Sequence, residues 1–441
     1  MGRNSHPEIL CINPWIYDFA AHDFFARPLG LLSVAGALRA QGYGVRLIDC
    51  TGASPQPNSG VTGRLPKEIT PMPTPLAGLP RRYGRYGIPE KEFVTRLTTG
   101  PRPAAVAVTS LMTYWYPGVQ AVIRLVRRHL PGVPVILGGI YATLCLEHAQ
   151  ATSGADLVLP GPGESSLLTA LAEITGGPAP DMVQESQSLT CYPALDLLPS
   201  SRLIPLLTSR GCPFTCSYCA SRILQPRWEP RSPDAVVDEL AHWHTRWGAT
   251  EVALYDDALL VNPRDHLLPI LEGVRRRGLP LRFHTPNGLH VGLITPEVAH
   301  WLHLSRFDTL RLGLETNALG TTRRDHKVKA GDLEEAMVAL TVAGFPPRKI
   351  GVYLMVGLPG QLDEEVVDSI RAVRALGATP VLTFYSPIPH TTLWEEACRI
   401  SRYDLAAEPL AQNNSIFPCW PEFSWPRYTR LKNLAVGQES P

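Results

Sequence analysis

Short apolar runs of strand length alternate with segments of helical spacing twice along this chain, and that alternation fixes the fold class. Residues 8–13 (EILCIN), 45–50, 104–109, 133–137 and 156–159 read as buried strands. Helical spacing falls at 28–41, 119–130, 144–150 and 165–174. Five strands parted by helices predict an α/β unit with a doubly wound parallel sheet. A second series follows, with strands at 203–208, 251–255, 281–285, 309–314, 350–356 and 380–385. Its helices are 233–247, 264–277, 295–304, 332–343 and 363–376. Six βα units in succession predict a partial (β/α)6 barrel. The expected organisation is therefore 1–176 as the first α/β domain, 177–202 as a polar, Pro-rich linker, 203–399 as the barrel, and 400–441 as a tail packed on it. Phe417, Trp420 and Trp425 would anchor that tail.

The stretch 51–100 breaks the first series. It is rich in Pro and Gly and reads as a long loop, which in a compact domain is functional or mobile. It holds the basic-aromatic run Arg81-Arg82-Tyr83-Gly84-Arg85-Tyr86, which is either a solvated loop or a contact for an anionic substrate or RNA. Overall charge does not favour nucleic acid, because 41 Lys+Arg balance 40 Asp+Glu. At 44% hydrophobic and 18% charged, the chain has globular rather than disordered composition. No apolar run approaches the length of a bilayer span, and the start MGRNSHPEIL lacks a secretory core. A cytoplasmic protein with no membrane contact is expected.

Nine cysteines in such a chain do not make a disulfide framework. Three are clustered as Cys212, Cys216 and Cys219, directly after the first barrel strand, with the spacing C-x3-C-x2-C. Three thiolates on one short loop can hold three corners of a cubane iron–sulfur cluster. Zinc is the rival, but a structural zinc site takes four ligands. His242 and His244 lie well downstream on a helix.

This loop, after strand one of a partial barrel, resembles the signature of the radical S-adenosylmethionine (SAM) superfamily. The resemblance implies that Cys212, Cys216 and Cys219 ligate a [4Fe–4S] cluster whose open iron chelates SAM. Reductive cleavage of SAM would then give a 5′-deoxyadenosyl radical, with the electron coming from a donor such as a flavodoxin or ferredoxin. Other strand ends should line the site. Asp256 and Asp257 follow the second barrel strand, where either a contact to the methionine amine or a helix cap is possible. Asn287 follows the third. Glu315 lies in a G-x-E segment after the fourth, and Gly357 and Gly360 in a glycine-rich turn after the fifth. These are the expected SAM contacts. His284, His290, Tyr353 and Tyr385, with Asn287, are further candidates to face a substrate that no motif names.

The first domain resembles the Rossmann-type cobalamin-binding domain fused to many radical SAM enzymes. The resemblance implies a cobalamin site at its strand ends, formed by Thr113, Tyr114, Trp115, Gly138, Gly139, Gly161, Gly163 and Glu164. The chain lacks D-x-H-x-x-G, whose histidine ligates cobalt in other cobalamin domains; many radical-enzyme relatives also lack it. The leading expectation is cobalamin-dependent methyl transfer to an unactivated carbon. The alternative is a cobalamin-independent rearrangement, ring closure or sulfur insertion with the first domain as scaffold. A tRNA methylthiotransferase would need cluster ligands in that domain, for which Cys11, Cys50 and Cys145 are the available thiols. A non-catalytic iron–sulfur sensor or electron carrier is the remaining class.

Overall fold

In a computed structural model, residues 7–21, 27–52, 65–176, 191–199, 202–317, 327–420 and 424–438 are described. The chain divides into two compact units. The first comprises Met1–Ser201 with Ala407–Ala411, and the second Arg202–Ala406 with Gln412–Pro441. Among the described residues no helix is long and apolar enough to cross a membrane.

Among the described residues the first unit contains eight strands: β1 (Glu8–Asn13), β2 (Ile16–Asp18), β3 (Gly44–Asp49), β4 (Lys67–Ile69), β5 (Gly84–Tyr86), β6 (Ala105–Val108), β7 (Val135–Leu137) and β8 (Leu157–Val158). Five of them form one parallel sheet in the order β3-β1-β6-β7-β8. Its central strands are continuous apolar runs because both faces are covered. Leu31, Ala35 and Leu38 of helix Leu29–Ala40 join Leu167, Leu168 and Leu171 of helix Gly163–Thr175 over Ile9, Ala105 and Ile136. Strand order reverses between β1 and β6, and such switch points open a crevice at the carboxyl ends of the strands. Residues 191–199 of the expected linker lie along helix Leu29–Ala40: Ala194 donates to the Leu32 carbonyl at 2.9 Å and Arg39 pairs with Asp196 at 2.8 Å. The rest of that stretch, 177–190 and 200–201, lies outside the described residues.

The basic-aromatic run is internal structure. Gly84–Tyr86 is the central strand of a small antiparallel sheet, β2-β5-β4. Arg85 is buried, pairs with Glu68 and lies 4.9 Å from the Trp15 ring. Tyr83 and Tyr86 are buried and donate to the carbonyls of Tyr17 and Phe19. Arg81 sits over the Phe19 ring. Of the two readings of this run, solvated loop or contact for an anion or RNA, Arg85 is not a solvated loop residue, its charge being paired with Glu68 within the fold, whereas Arg82 is exposed.

The second unit adds β9 (Leu203–Leu206), β10 (Ser209–Arg210), β11 (Glu229–Pro230), β12 (Glu251–Leu254), β13 (Arg282–His284), β14 (Leu289–His290), β15 (Phe307–Glu315), β16 (Ile350–Val356) and β17 (Thr379–Phe384). Six of these lie parallel in sequence order, β9-β12-β13-β15-β16-β17, with β14 against β15. Each helix returns the chain to the next position, so all carboxyl ends share one edge. The described part of 400–441, residues 400–420 and 424–438, holds more regular structure than its sequence pattern predicts. Ser424 caps helix Trp425–Ala435 through Arg427 N–H, and Phe384, Phe417, Trp420 and Tyr428 pack ring to ring.

Candidate active site

The cysteine loop grows from β9 and is closed at its base by the antiparallel pair β10–β11. Gly211 makes the turn with φ +75°, and a Cβ there would stand 2.1 Å from the Arg227 carbonyl oxygen. Both backbone conformation and space therefore require glycine. Beneath the turn lies Asp256, buried at 3% exposure. Its Oδ1 accepts from Ser209 N at 2.6 Å, Ser209 Oγ at 2.7 Å, Thr208 Oγ1 at 2.7 Å and Thr208 N at 3.1 Å. Thr208 Oγ1 also meets His266 Nε2 at 2.9 Å. Arg231 donates to the Leu207 carbonyl at 2.8 Å and pairs with Glu239 at 2.5 Å. Burial pushes the Asp256 carboxyl up, while these donors pull it down. Its Oδ1 is thus committed to the root of the loop, while the residue also borders the cavity that the cysteines line.

All three clustered thiols line one cavity of about 260 Å³, which also receives the ends of β12, β13, β15 and β16. Cys212 is half-buried, which raises its thiol pKa, and the Phe214 N–H opposes that rise. Cys219 is exposed and receives the Ser221 N–H at 3.5 Å. Backbone donors aimed at sulfur suit thiolate ligands. A cubane takes one thiolate per iron, so its ligands spread over separate corners. A zinc ion needs donors converging on one point, and among the described residues no three His, Cys, Asp or Glu side chains do so. The donor set therefore fits an iron–sulfur cluster.

Asp257, Asn287 and Glu315 line the same cavity, with Lys327. Asp257 opens onto it, and confinement there raises its pKa while the Ser221 hydroxyl lowers it. Asn287 donates to the carbonyls of Tyr255 at 2.9 Å and Asp256 at 3.2 Å, holding the end of β12 in place. Glu315 has φ +67°, where the β15–β16 register shifts, and its carboxylate lies 3.7 Å from Lys327. A non-glycine residue in that conformation stores strain of the kind found at functional sites. His290 and Tyr353 also reach the cavity, Tyr353 donating to the Pro286 carbonyl at 2.9 Å. Its far wall is apolar, formed by Leu254, Leu259 and Leu260.

Four expected positions lie off the lining. His284 is buried between Glu251 at 2.9 Å and Thr309 at 3.1 Å, and Tyr385 is buried outside the cavity wall. Gly357 and Gly360 belong to a turn closed by Gln361, whose Oε1 accepts from Gly357 N at 2.8 Å. Sequence reasoning missed Phe214, Ser221 and Lys327. Ser221 is two residues past the last cluster cysteine, a proximity that could have flagged it; nothing in the sequence marks Lys327.

In the first unit the candidate cobalamin positions fall after β6, β7 and β8, on the carboxyl edge of the sheet. Thr113 and Tyr114 are buried, which leaves Trp115 as the partly exposed member; its Nε1 donates to Asp18 at 2.7 Å. Gly139 has φ +98°, and a Cβ there would stand 2.3 Å from the Ser110 carbonyl oxygen. Gly138, Gly161, Gly163 and Glu164 are partly exposed. Gly161 N–H donates to Thr143 at 2.9 Å. The rim thus presents backbone and small residues, surfaces that a flat ligand can approach closely. Of the three thiols weighed as ligands of a second cluster in this unit, Cys145 is partly exposed. Cys11 and Cys50 are fully buried, and burial raises both, Cys11 to about 12.

Comparison with known proteins gives the same two-part division. Residues 206–373 match the Radical SAM superfamily and residues 83–171 the B12 binding domain. An uncharacterised methyltransferase of Pyrococcus horikoshii is 24% identical over 327 residues, covering 67% of this chain and 69% of that protein. Cytidylyl-2-hydroxyethylphosphonate methyltransferase of Streptomyces wedmorensis is 22% identical, covering 89% of this chain and 82% of its own. The solved structure of the radical S-adenosylmethionine methyltransferase TsrM from Kitasatospora setae, with tryptophan and a SAM analogue bound, superposes with TM-score 0.65 at 18% identity. It covers 90% of this chain and 77% of that one.

Proposed function

Because this chain joins a B12-binding domain to a radical SAM domain, we propose that it is a cobalamin-dependent radical SAM methyltransferase acting on an unactivated carbon. The observation that carries this reading is the single cavity lined by Cys212, Cys216 and Cys219 together with Asp257, Asn287, Glu315 and Lys327. When bound, the cluster and SAM supply a 5′-deoxyadenosyl radical and the corrinoid supplies a transferable methyl group. The three thiolates hold the cluster, and the rigid root built on Asp256 and Gly211 keeps them in register. Asp257, Glu315 and the Asn287 carboxamide offer acceptors to the ammonium and ribose hydroxyls of SAM, and Lys327 offers a cation to its carboxylate. Leu254, Leu259 and Leu260 exclude water from the space where a radical would otherwise be quenched. Trp115, Gly138, Gly139, Gly161, Gly163 and Glu164 form the cobalamin rim. Reduction requires a one-electron donor, for which a flavodoxin or ferredoxin is suited.

The test is anaerobic purification from cells supplied with cobalamin, with iron and corrinoid counted per chain. About four irons and about one corrinoid are expected, with SAM cleavage under reducing conditions. Four irons without corrinoid would refute methyl transfer and leave a radical rearrangement, ring closure or sulfur insertion. About eight irons would point to a second cluster and overturn the reading of Cys11 and Cys50 as buried structural thiols. An intact cluster that never cleaves SAM would make the protein a sensor or electron carrier.

A further inference from the structure

Ser221 stands beside the last cysteine of the cavity. Its N–H lies 3.5 Å and its Oγ 3.3 Å from Cys219 Sγ. A ligand thiolate has no hydrogen to give, so with a cluster bound every hydrogen bond in this group runs from Ser221. Its backbone N–H and its hydroxyl are both within reach of Cys219.

Hydrogen bonds to cluster sulfurs are among the chief determinants of cluster potential, because they stabilise the more negative, reduced state. Resting on the cluster reading above, we infer that Ser221 tunes the reduction potential of the cluster through Cys219. Cys219 is the most exposed of the three thiols, so it is also where a protein donor most directly replaces a water. The step concerned is addition of one electron from an external reductant to the oxidised cluster; no proton moves and no bond is broken. Ser221 is thus a positioning residue that acts through the ligand and leaves the substrate untouched.

The experiment is a redox titration of the reconstituted full chain without SAM, using dithionite as reductant and the reduced-cluster electron paramagnetic resonance signal as readout. Ser221→Ala keeps the N–H and removes the hydroxyl, so the midpoint should move to more negative potential at unchanged iron content. Ser221→Thr keeps the hydroxyl and should restore it. A merely structural Ser221 would lower iron retention or thermal stability without moving the potential.

An unchanged midpoint in Ser221→Ala overturns the inference. Should Ser221→Ala take up no cluster, the isosteric pair Ser221→Val and Ser221→Thr decides: only the valine, which lacks the hydroxyl, should move the midpoint, and a midpoint common to both overturns the inference. A wild-type chain that reconstitutes no cluster overturns the cluster reading and the inference with it, whereas a loaded wild type with indifferent variants overturns only the inference.

Discussion

Removing the Asp256 carboxylate should loosen the cysteine loop far more than the rest of the chain. Oδ1 of this residue takes four hydrogen bonds, from the backbone and hydroxyl donors of Thr208 and Ser209, at 2.6–3.1 Å. Oδ2 takes only a second, 3.1 Å contact from Thr208 N. Both donor residues are 1% exposed, so water cannot replace the carboxylate without opening the structure. In Asp256→Ala the two hydroxyls can rotate to other partners, but two buried backbone N–H groups cannot. Each orphaned donor costs about 1–3 kcal/mol, giving about 3–5 kcal/mol with the lost packing. In Asp256→Asn the amide oxygen can sit at Oδ1 and keep all four donors. Its NH2 then replaces Oδ2 opposite another donor, and the bonds lose their charge, for a cost of about 1–2 kcal/mol. At about 1.4 kcal/mol per tenfold, hydrogen exchange in a peptide spanning 206–219 should accelerate about 100-fold or more in the alanine variant. In the asparagine variant the acceleration should be about tenfold, while β1 and β6 of the first unit stay unchanged. The assay is exchange followed by mass spectrometry on the full chain, which reads local opening without assuming two-state unfolding of two units. Equal effects of Ala and Asn would refute the argument from oxygen geometry, and exchange within a factor of about three in both would refute the anchoring role altogether.

Gly211→Ala combines a left-handed backbone with a Cβ at 2.1 Å from the Arg227 carbonyl; with strain of about 1–3 kcal/mol from the backbone alone, iron per chain after reconstitution should fall well below wild type. Burial depresses the His266 pKa to about 4. As pH falls from the ordinary histidine value of about 6.5 toward 4, the unfolded chain binds a proton that the native state refuses, so stability drops across that window. His266→Gln should remove that part of the slope in urea denaturation series. Burial pushes the Glu251 pKa up, but hydrogen bonds from Arg282 and His284 outweigh it and hold the group below the ordinary carboxylate value. Its contribution is present above about pH 4.5 and is lost as pH falls through the lower folded value, so Glu251→Gln should flatten the acid limb of the same series.

The parallel sheets were legible because their strands are buried on both faces. The centre of EILCIN, Ile9 to Ile12, and IGVYLMV are apolar runs without a charged residue, and short-range spacing marks the helices between them. The antiparallel β2-β5-β4 sheet was not legible. Its strands are three residues long, lie in a Pro- and Gly-rich stretch, and pair across up to about 70 residues of chain, so no local period records them. Helix Glu90–Thr98 was hidden in the same stretch, its core contact reduced to Phe93 and Leu97. Helix Trp425–Ala435 escaped for a similar reason: it buries only Leu431 and Ala435, and its packing is aromatic and cationic, with Arg427 4.1 Å from the Trp420 ring and 2.6 Å from Asp363. At the site, the cysteines announced themselves because their ligands are close in sequence. Lys327 and Glu315 meet through a fold, which spacing does not encode.

The acid pair after β12 shows where sequence reading must stop. Asp256 and Asp257 are identical in composition and adjacent in the chain, and either could contact SAM or cap a helix. Successive side chains leave an extended backbone on opposite sides, so one carboxylate turns under the loop and the other faces the cavity. Asp256 meets four donors on one oxygen, from the root of the loop. Asp257 is exposed toward the cavity. Opposite surroundings give the two residues separable jobs: loss of the first changes whether the loop holds its shape, and loss of the second removes an acceptor offered to SAM. Hydrogen exchange and SAM affinity read those two effects independently, so a variant pair at neighbouring positions should show one without the other.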